Sequence, residues 1–598
     1  MKQIFTKIFV SLFLFMPFSD AIGAAYTAGT SGNFSSTTTW VGGVVPPSNV
    51  GANDIIISSG VTVTLDVNLV LSSSFSLLQL QGNGRLASTS SHYIVLMGGN
   101  VTGNAASTIE VDSITFGNAT YLFDGSITAN KITLAGVNLP GNINIKAEKS
   151  LYFTSGITSF QAGATIALGT GTPPPTIVMD GGSFNIAGGV NFNLTTPYNL
   201  RYEQPSGIIG SGPELSGTGL GEIEIAIGAG NFVMLDNDLT VKNLLKLTSG
   251  SLALNNGTFK LIMAGNSSFD PGGTGSIQGS NNAEIVITSS ATNLGMVRFA
   301  GSSPEVKNLE MKAANNNAEL KLGSSLMISG QLNLQSGRLN MQDKTLSIAP
   351  GLGSITGGSA NSYIITEANG QLKQDIVANS TVNFPVGYAS AYAPVAITDQ
   401  KGSHMAGVMV NVQQGVKEQG AAGNNMAATK PLVDATWTTS LSGGGPAVSY
   451  SLEASWSAGM EVNSFDRNRS FVSQYTGGKW QNADGGAAGT AGSMYTSKKD
   501  SIKAAGTFAV LDATTLGIDN IVTEHRIAVY PNPAKDILHL VVDDAATVAL
   551  YNAIGQPVGS ANLIQGDNTI NIDYLPAGVY FIQLSGEQVN GSGRFVKE

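Results

Sequence analysis

Residues 326–348 read LMISGQLNLQSGRLNMQDKTLSI, and residues 239–261 read LTVKNLLKLTSGSLALNNGTFKL. The two stretches place apolar residues, a Ser-Gly pair and a threonine at equivalent positions, 87 residues apart. Together with the residues just upstream, the repeat comprises 233–261 and 320–348. A constant offset over this length identifies a genuine internal repeat.

The spacing within a block indicates what the repeat builds. Apolar-x-apolar pairs follow one another at steps of six or seven residues, and they begin at Leu320, Leu326, Leu332, Leu339 and Leu346. Both apolar side chains of a pair point to the same side, because side chains alternate along a strand. A three-residue strand followed by a short corner is typical of a coil with about three sides and roughly 20 residues per turn.

The sequence therefore predicts an all-β fold that begins with a parallel β-helix, or solenoid, over residues 26–387. An antiparallel meander of short hairpins is the alternative. Corners such as Ser249-Gly250 and Ser336-Gly337 are short and regular, which favours the solenoid. Trp40 is expected to cap the first coil.

A change in composition indicates a second domain. Three of the four tryptophans, Trp437, Trp456 and Trp480, lie close together. The residues that lead to Trp456 alternate strictly between polar and apolar, which is typical of a strand with one buried face. We predict a β-sandwich domain with an aromatic core over residues 388–513 and a linker at 514–525.

The composition excludes several classes of function. The chain of 598 residues has a net charge of −10 and only 12% charged residues, so it offers no basic surface for nucleic acid. It contains no cysteine, which excludes disulfides, thiolate zinc sites and cysteine nucleophiles. Its four histidines, His92, His404, His525 and His539, are far apart and give little support to a metal site or a catalytic triad.

The start of the chain is typical of a secretory signal peptide, predicted at residues 1–25. Lys2 and Lys7 form a basic start, residues 8–18 are largely apolar, and small residues follow at 21–25. The apolar run is too short to span a bilayer comfortably, and no other stretch approaches the required length. We therefore expect no transmembrane span in the mature chain.

The last part of the chain carries four short motifs in a fixed order. They are Tyr530-Pro531-Asn532-Pro533, Leu550-Tyr551-Asn552-Ala553-Ile554-Gly555-Gln556, Leu575-Pro576-Ala577-Gly578-Val579-Tyr580, and the basic end Arg594-Phe595-Val596-Lys597. Short runs rich in Val, Ile, Leu and Tyr alternate there with Pro and Gly turns. This pattern predicts a small β-sandwich.

These motifs resemble the type A C-terminal sorting domain of the type IX secretion system. The resemblance implies an Ig-like β-sandwich at 526–598 and a sorting signal made of Tyr530, Pro531, Asn532, Pro533, Gly555, Leu575, Pro576, Gly578, Tyr580 and Lys597. It also implies a Gram-negative bacterium, the type IX machinery as partner, and removal of the module after both membranes are crossed. The expected location is extracellular or on the outer surface of the outer membrane. Such domains often end on Lys, whereas Glu598 follows here.

Three stretches of the solenoid invite a chemical interpretation. Glu222-Ile223-Glu224 places two carboxylates on one strand face, roughly 7 Å apart, a spacing that could hold a water or a cation. β-Helix enzymes that act on polysaccharides work with clustered carboxylates; a solvated outer face is the favoured alternative here. Asp236-Asn237-Asp238 lacks the Gly and distal Glu of a calcium loop, so a turn is expected. Residues 217–221 resemble a phosphate loop but open a strand rather than a helix. We predict no catalytic, cofactor-binding or metal-binding residue.

A long, repetitive solenoid with a surface-export signal indicates a non-enzymatic protein, adhesin-like or structural. Its ligand would be a surface glycan, a host component or another polymer, and the tryptophan-rich region is one place for a sugar. The alternative is a polysaccharide-degrading enzyme or accessory protein. A groove that holds three or more charged side chains within hydrogen-bond reach would favour that alternative.

Overall fold

A computed structural model describes residues 23–89, 91–204, 207–254, 259–402, 404–442, 448–516, 525–526, 528–542, 544–586 and 590–598. Most of the predicted signal peptide and of the predicted linker lies outside these residues. The described chain is almost wholly β-structure, and its helices are single 3-10 turns at Thr37–Thr39, Pro213–Leu215, Met426–Ala428, Ala458–Met460 and Arg467–Arg469. No helix in these ranges has the length and apolar character needed to cross a membrane.

The first and longest part is a solenoid of about 14 turns, whose coils contribute parallel strands to three faces in a constant order. The first face contains Ala25–Ala28, Asp54–Ile57, Leu77–Leu80, Asn100–Gly103, Thr120–Phe123, Asn138–Leu139, Ile157–Phe160, Ser183–Ile186, Ile208–Gly210, Phe232–Met234, Ser251–Ala253, Ser276–Gln278, Glu305–Val306, Leu326–Ile328, Thr345–Ile348 and Gln371–Ile376. The second contains Gly32–Asn33, Thr62–Leu65, Arg85–Ser88, Thr165–Leu168, Asn191–Phe192, Leu239–Val241, Lys260–Met263, Glu284–Ile287, Asn308–Lys312, Gln331–Ser336 and Ser354–Gly357.

The third face contains Leu69–Leu71, Tyr93–Leu96, Thr176–Asp180, Tyr198–Glu203, Leu220–Ala226, Leu244–Ser249, Ser268–Phe269, Asn293–Val297, Glu319–Leu322, Arg338–Asn340, Ile364–Ile365 and Val386–Tyr388. Three longer strands run from the second face onto the third: Thr108–Phe116, Ser126–Ala135 and Asn144–Ser155. Because they serve both faces, these strands join the two faces into one continuous sheet.

Parallel register between coils confirms the solenoid and excludes the antiparallel meander. Ile127 pairs with Ile145, 18 residues later, and Leu261 pairs with Ile285, 24 residues later. The coils therefore vary around the expected length of roughly 20 residues. The corners absorb this variation, since the strands must keep their register.

The sequence repeat does not correspond to a whole number of coils. Leu239 lies on the second face and pairs with Leu261, whereas its repeat equivalent Leu326 lies on the first face and pairs with Leu346. The repeat preserves the rhythm of strand and corner but shifts it by one face. The fold tolerates this shift because each face has the same pattern, with apolar side chains inside and polar side chains outside.

Inward side chains form the solenoid core. Ile223, Ile225 and Ile227 are all buried, as strand alternation predicts, and each such side chain contributes about 1.5–3 kcal/mol. At the equivalent corner of the next coil, Gly250 has φ +81° and an added Cβ would lie 2.4 Å from Cγ1 of Ile227. Only glycine fits there, because both the backbone conformation and the neighbouring coil exclude a side chain.

Trp40 caps the first coil as predicted. It is buried, its Nε1 donates a hydrogen bond to the Phe34 carbonyl oxygen at 2.8 Å, and its ring packs edge-on against Phe34. The Val41 amide donates to the Thr27 carbonyl at 2.8 Å. This segment therefore covers the open edge of strand Ala25–Ala28, which would otherwise be free to pair with another chain.

The other end of the solenoid continues into the second domain. Strand Gln371–Ile376 pairs in parallel with Thr345–Ile348 and antiparallel with Met405–Gln414. One sheet thus belongs to both parts, and one hydrophobic core extends through both. The boundary at residue 388 stays a prediction.

The second domain consists of two antiparallel sheets. Beyond the shared strands, the first contains Leu432–Leu441, Glu461–Val462, Ser470–Thr476, Lys479–Trp480 and Thr507–Asp512, and the second contains Thr381–Phe384, Val395–Asp399, Tyr450–Trp456, Gly489–Ala491 and Met494–Ile502. Strand Ala391–Tyr392 pairs with the last solenoid strand, and Lys417–Gln419 pairs with Ala422–Asn425. Trp437, Trp456 and Trp480 are buried, so they form core and offer no exposed platform for a sugar.

The C-terminal module is a separate β-sandwich. One sheet contains His525–Arg526, Ala546–Tyr551, Pro557–Leu563, Gly578–Ser585 and Asn590–Lys597, and the other contains Val529–Tyr530, Ile537–Val542 and Gly566–Asn571. Its core includes Leu540, Val548, Ile582 and Phe595, and this core is distinct from that of the preceding domains.

Candidate functional site

The first and last motifs of the C-terminal module form one unit in space. The Asn532 side chain donates from Nδ2 to the Arg594 carbonyl at 3.2 Å and accepts at Oδ1 from the Val596 amide at 2.9 Å. The Ala534 amide donates to the Val596 carbonyl, and the Glu598 amide donates to the Ala534 carbonyl. The Tyr-Pro-Asn-Pro segment is therefore fastened to the final strand, 62 residues further along the chain.

The two middle motifs build a turn and a strand entry. Oδ1 of Asn552 accepts hydrogen bonds from the amides of Ile554 and Gln556, and Gly555 has φ +79° with open space around it. The Asn552 side chain caps its own turn, and the positive φ of residue 555 favours glycine there. The Tyr580 hydroxyl donates to the Pro576 carbonyl at 2.8 Å, which holds the Leu-Pro turn against the strand it opens.

The remaining predicted signal residues divide between core and surface. Leu575, Tyr580 and Lys597 are buried, and Tyr580 stacks on Phe595 with ring centroids 5.4 Å apart. Gly578 pairs with Lys597 in the sheet. Six are exposed: Tyr530, Pro531, Asn532, Pro533, Gly555 and Pro576. Of these, Tyr530 stacks on His539 with the rings nearly parallel.

The outer face of the larger sheet carries apolar side chains. Val579, Phe581 and Val596 are each at least 40% exposed. Val579 lies opposite Val596, and Phe581 lies opposite Arg594 and Tyr551. These five residues, here called the apolar face of the module, form one neighbourhood beside the basic end of the chain.

The family model for the secretion system C-terminal sorting domain matches residues 528–598. This segment is a type IX sorting domain. It marks the chain for export by the type IX system and implies a cell-surface or extracellular location and contact with the secretion machinery. No curated protein and no solved structure matches the chain. We call residues 526–598 the sorting module and residues 23–516 the cargo.

The cargo contains a groove of about 410 Å³ on the outer side of the third face. Its walls and floor come from six successive strand positions, beginning with strand Asn144–Ser155 and ending just after Ser268–Phe269. The polar and aromatic residues that line it are Lys149, Ser150, Tyr152, Thr176, Asn199, Arg201, Glu222, Glu224, Lys246 and Asp270. We call this the outer groove.

Charged side chains in the outer groove are linked from coil to coil. Nε of Arg201 lies 2.7 Å from Oε1 of Glu203 and 3.3 Å from Oε2 of Glu224. Nζ of Lys246 lies 3.0 Å from Oε1 of Glu224, which also accepts a 2.8 Å hydrogen bond from the Thr248 hydroxyl. Four charged residues on three coils thus form one network.

The network determines the protonation of its central carboxylate. Partial burial acts to raise the pKa of Glu224, but hydrogen bonds from Thr248 and Lys246 and the charge of Arg201 outweigh it. The pKa therefore lies below its ordinary value. Glu224 is an anion at neutral pH and does not serve as a proton donor. Glu222 faces outward beside it and accepts a hydrogen bond from the Asn243 side chain at 2.9 Å.

The other candidate stretches have structural roles. Oδ1 of Asp238 accepts a hydrogen bond from the Lys260 amide at 2.9 Å, so it connects two coils. Residues 217–221 lead into strand Leu220–Ala226, as expected. Nε2 of His404 pairs with Asp375 at 2.9 Å, on the shared sheet. Across the described residues, no three His, Asp or Glu side chains converge in a way that could hold a metal ion.

One notable residue was not predicted. Glu214 is buried, its Oε1 accepts hydrogen bonds from the Tyr202 hydroxyl at 2.7 Å and the Gly212 amide at 2.8 Å, and its carbonyl accepts from the Tyr198 hydroxyl. Burial raises the pKa of Glu214 despite these hydrogen bonds. Its 3-10 turn lies where the second face lacks a strand among the described residues, between Asn191–Phe192 and Leu239–Val241. Its Gly- and Ser-rich surroundings gave no signal of burial.

Proposed function

We propose that the cargo is a non-enzymatic, adhesin-like protein that the type IX system displays on the outer surface of the cell, where it binds an extended polymer. The observation that carries this proposal is the outer groove. It follows the stacking direction of the solenoid across six strand positions, so its shape suits a linear ligand better than a compact one.

The rest of the outer surface supports a rigid display role. Asparagine side chains donate to glutamates on the preceding coil, at 2.9 Å for Asn308 and Glu284 and 3.0 Å for Asn340 and Glu319. Each such hydrogen bond adds about 0.5–1.5 kcal/mol. Repeated pairing keeps the polar side chains ordered, and an ordered surface loses less entropy when a ligand binds.

A polysaccharide-degrading enzyme is the second candidate, and one observation favours it. Arg201, Glu224 and Lys246 satisfy the condition of three or more charged side chains within reach in a groove. Hydrolysis of a glycosidic bond also needs a carboxylic acid that keeps its proton near neutral pH. The ion pairs have the opposite effect on Glu224, which is why we prefer binding.

Two measurements test the proposal. Cells that display the full chain should adhere to immobilised polysaccharides or particles, and cells that display residues 526–598 on an unrelated folded carrier should not. Equal adhesion of both strains would contradict an adhesive role of the cargo. Purified protein incubated with a glycan panel should release neither reducing ends nor unsaturated sugars; release by wild type that Glu224→Gln abolishes would establish the enzyme instead.

A further inference from the structure

The outer groove has a specific balance of charge. Its lining contains three cations, Lys149, Arg201 and Lys246, and three anions, Glu222, Glu224 and Asp270. Along the central column of the face, Arg201, Glu224 and Lys246 occupy consecutive coils in register. The sign of the charge alternates from coil to coil, and Glu203 beside the groove also pairs with Arg201. The groove therefore has no excess of positive charge to attract an anionic polymer.

One end of the groove offers an aromatic surface. Tyr152 occupies the same column two coils before Arg201, and Nζ of Lys131 lies 4.1 Å from its ring centroid. This contact orients the ring, and the phenol remains partly exposed. A tyrosine supplies apolar area and a polar hydroxyl with little entropy to lose, which suits the faces and edges of a sugar ring.

Between Tyr152 and Asp270 the groove supplies hydrogen-bonding groups of both kinds. Oδ1 of Asn199 already accepts a hydrogen bond from the Glu222 amide, so Asn199 offers its Nδ2 donors, and Thr176 offers a hydroxyl. Arg201 has five N–H groups, of which Nε faces the two carboxylates. Carboxylate oxygens of Glu222 and Glu224 accept. The five strand spacings of about 4.8 Å give a length of roughly 24 Å, enough for several sugar residues of an extended chain.

We propose that the outer groove binds a neutral, linear polysaccharide, with Tyr152 packing against a sugar ring and the Arg201–Glu224–Lys246 network bonding hydroxyl groups. This inference rests on the proposed polymer-binding function and specifies its site and ligand class. Paired charges suit hydroxyls, because each ion keeps unused donors or lone pairs while its partner compensates its charge. An anionic chain would meet as many carboxylates as cations.

The test is titration of the purified full chain with neutral linear glycans, cellulose and xylan oligosaccharides among them, and with anionic ones such as alginate. We expect binding to at least one neutral glycan, weakened about tenfold by Tyr152→Ala or Arg201→Ala. Affinity should change little between about 0.05 M and 0.5 M salt, since no net charge is neutralised. Lys321→Ala is the matched control: Lys321 makes a similar outward pair, with Glu319, on the same face beyond the groove, and its loss should leave binding unchanged.

Three outcomes would overturn the inference. They are the absence of binding to any neutral glycan, a preference for alginate that salt abolishes, and undiminished binding of neutral glycan by both groove variants. The last outcome would place the glycan-binding site elsewhere on the cargo, and it would not contradict the proposed adhesive function. Loss of adhesion when an unrelated carrier replaces the cargo, measured on cells, tests that function independently of the groove.

Discussion

The cargo and the sorting module are both β-folds, but their surfaces differ in how many apolar side chains they expose. Ten large apolar side chains are exposed among the described residues of the cargo and nine in the sorting module, although the module is less than one sixth as long. The cargo covers its outer faces with polar side chains that pair between coils. The module leaves Val579, Phe581 and Val596 open on one face.

This difference fits the task of each part. Contiguous exposed apolar side chains mark surfaces that another protein covers, and a sorting signal must be recognised by its machinery. A displayed solenoid must instead remain in solvent without associating, so its free edge at Ala25–Ala28 is covered and its faces are polar. The recognition proposed for the outer groove is accordingly polar, apart from the ring of Tyr152.

Deletion of Tyr530–Glu598 should have the largest effect. In a bacterium with the type IX system, the truncated cargo should be trapped in the periplasm and nearly absent from the surface and medium, as measured by cell fractionation. Because the two parts have separate cores, the trapped cargo should still resist limited proteolysis, which serves as the control for folding. Normal export of the truncated chain would refute the role of the module.

The next largest effect should come from the core of the solenoid. Phe153 is fully buried and stacks on Phe184 with ring centroids 4.5 Å apart. Phe153→Ala should lower the free energy of unfolding by about 3–5 kcal/mol, measured in denaturant, and Phe153→Leu should recover about half. An effect below about 1 kcal/mol would show that neighbouring coils collapse into the cavity.

Glu214 makes the stability of the cargo depend on pH. Its pKa is raised in the folded chain by burial, so its protonated form stabilises the fold at low pH and this contribution is lost as pH rises through the folded pKa. Wild type should lose stability relative to Glu214→Gln as the pH rises from acidic to neutral. Thermal denaturation of both proteins across that range measures it, and parallel stability curves would contradict the assignment.

The sequence predicted the solenoid because its period is local. A strand-and-corner rhythm recurs within each block, and alternation alone placed Ile223 and Ile225 inside and Glu222 and Glu224 outside. The motifs of the sorting domain were likewise recognisable because they are short and ordered. In both cases neighbouring residues along the chain carried the information.

Contacts between coils could not be predicted from the sequence. The partners of Glu224 lie 23 and 22 residues away, at Arg201 and Lys246, and coil length varies too much for that pairing to be computed. The same variation hid the shift of the repeat by one face. Burial of Glu214 depends on a 3-10 turn that takes the place of a strand on the second face, as far as the structure describes this coil, and on Tyr198 and Tyr202 from the preceding strand.

The smallest effect on stability should be found on the apolar face of the sorting module, where it isolates recognition from folding. Phe581 is 46% exposed and lies opposite Arg594, so Phe581→Ala should change the free energy of unfolding by less than about 0.5 kcal/mol. If the machinery covers this face, export should nevertheless fall severalfold in a fractionation assay. Ile564→Ala is the control, since Ile564 is even more exposed but lies at a turn away from that face. Equal export of the two variants would show that the machinery does not recognise the apolar face of the module.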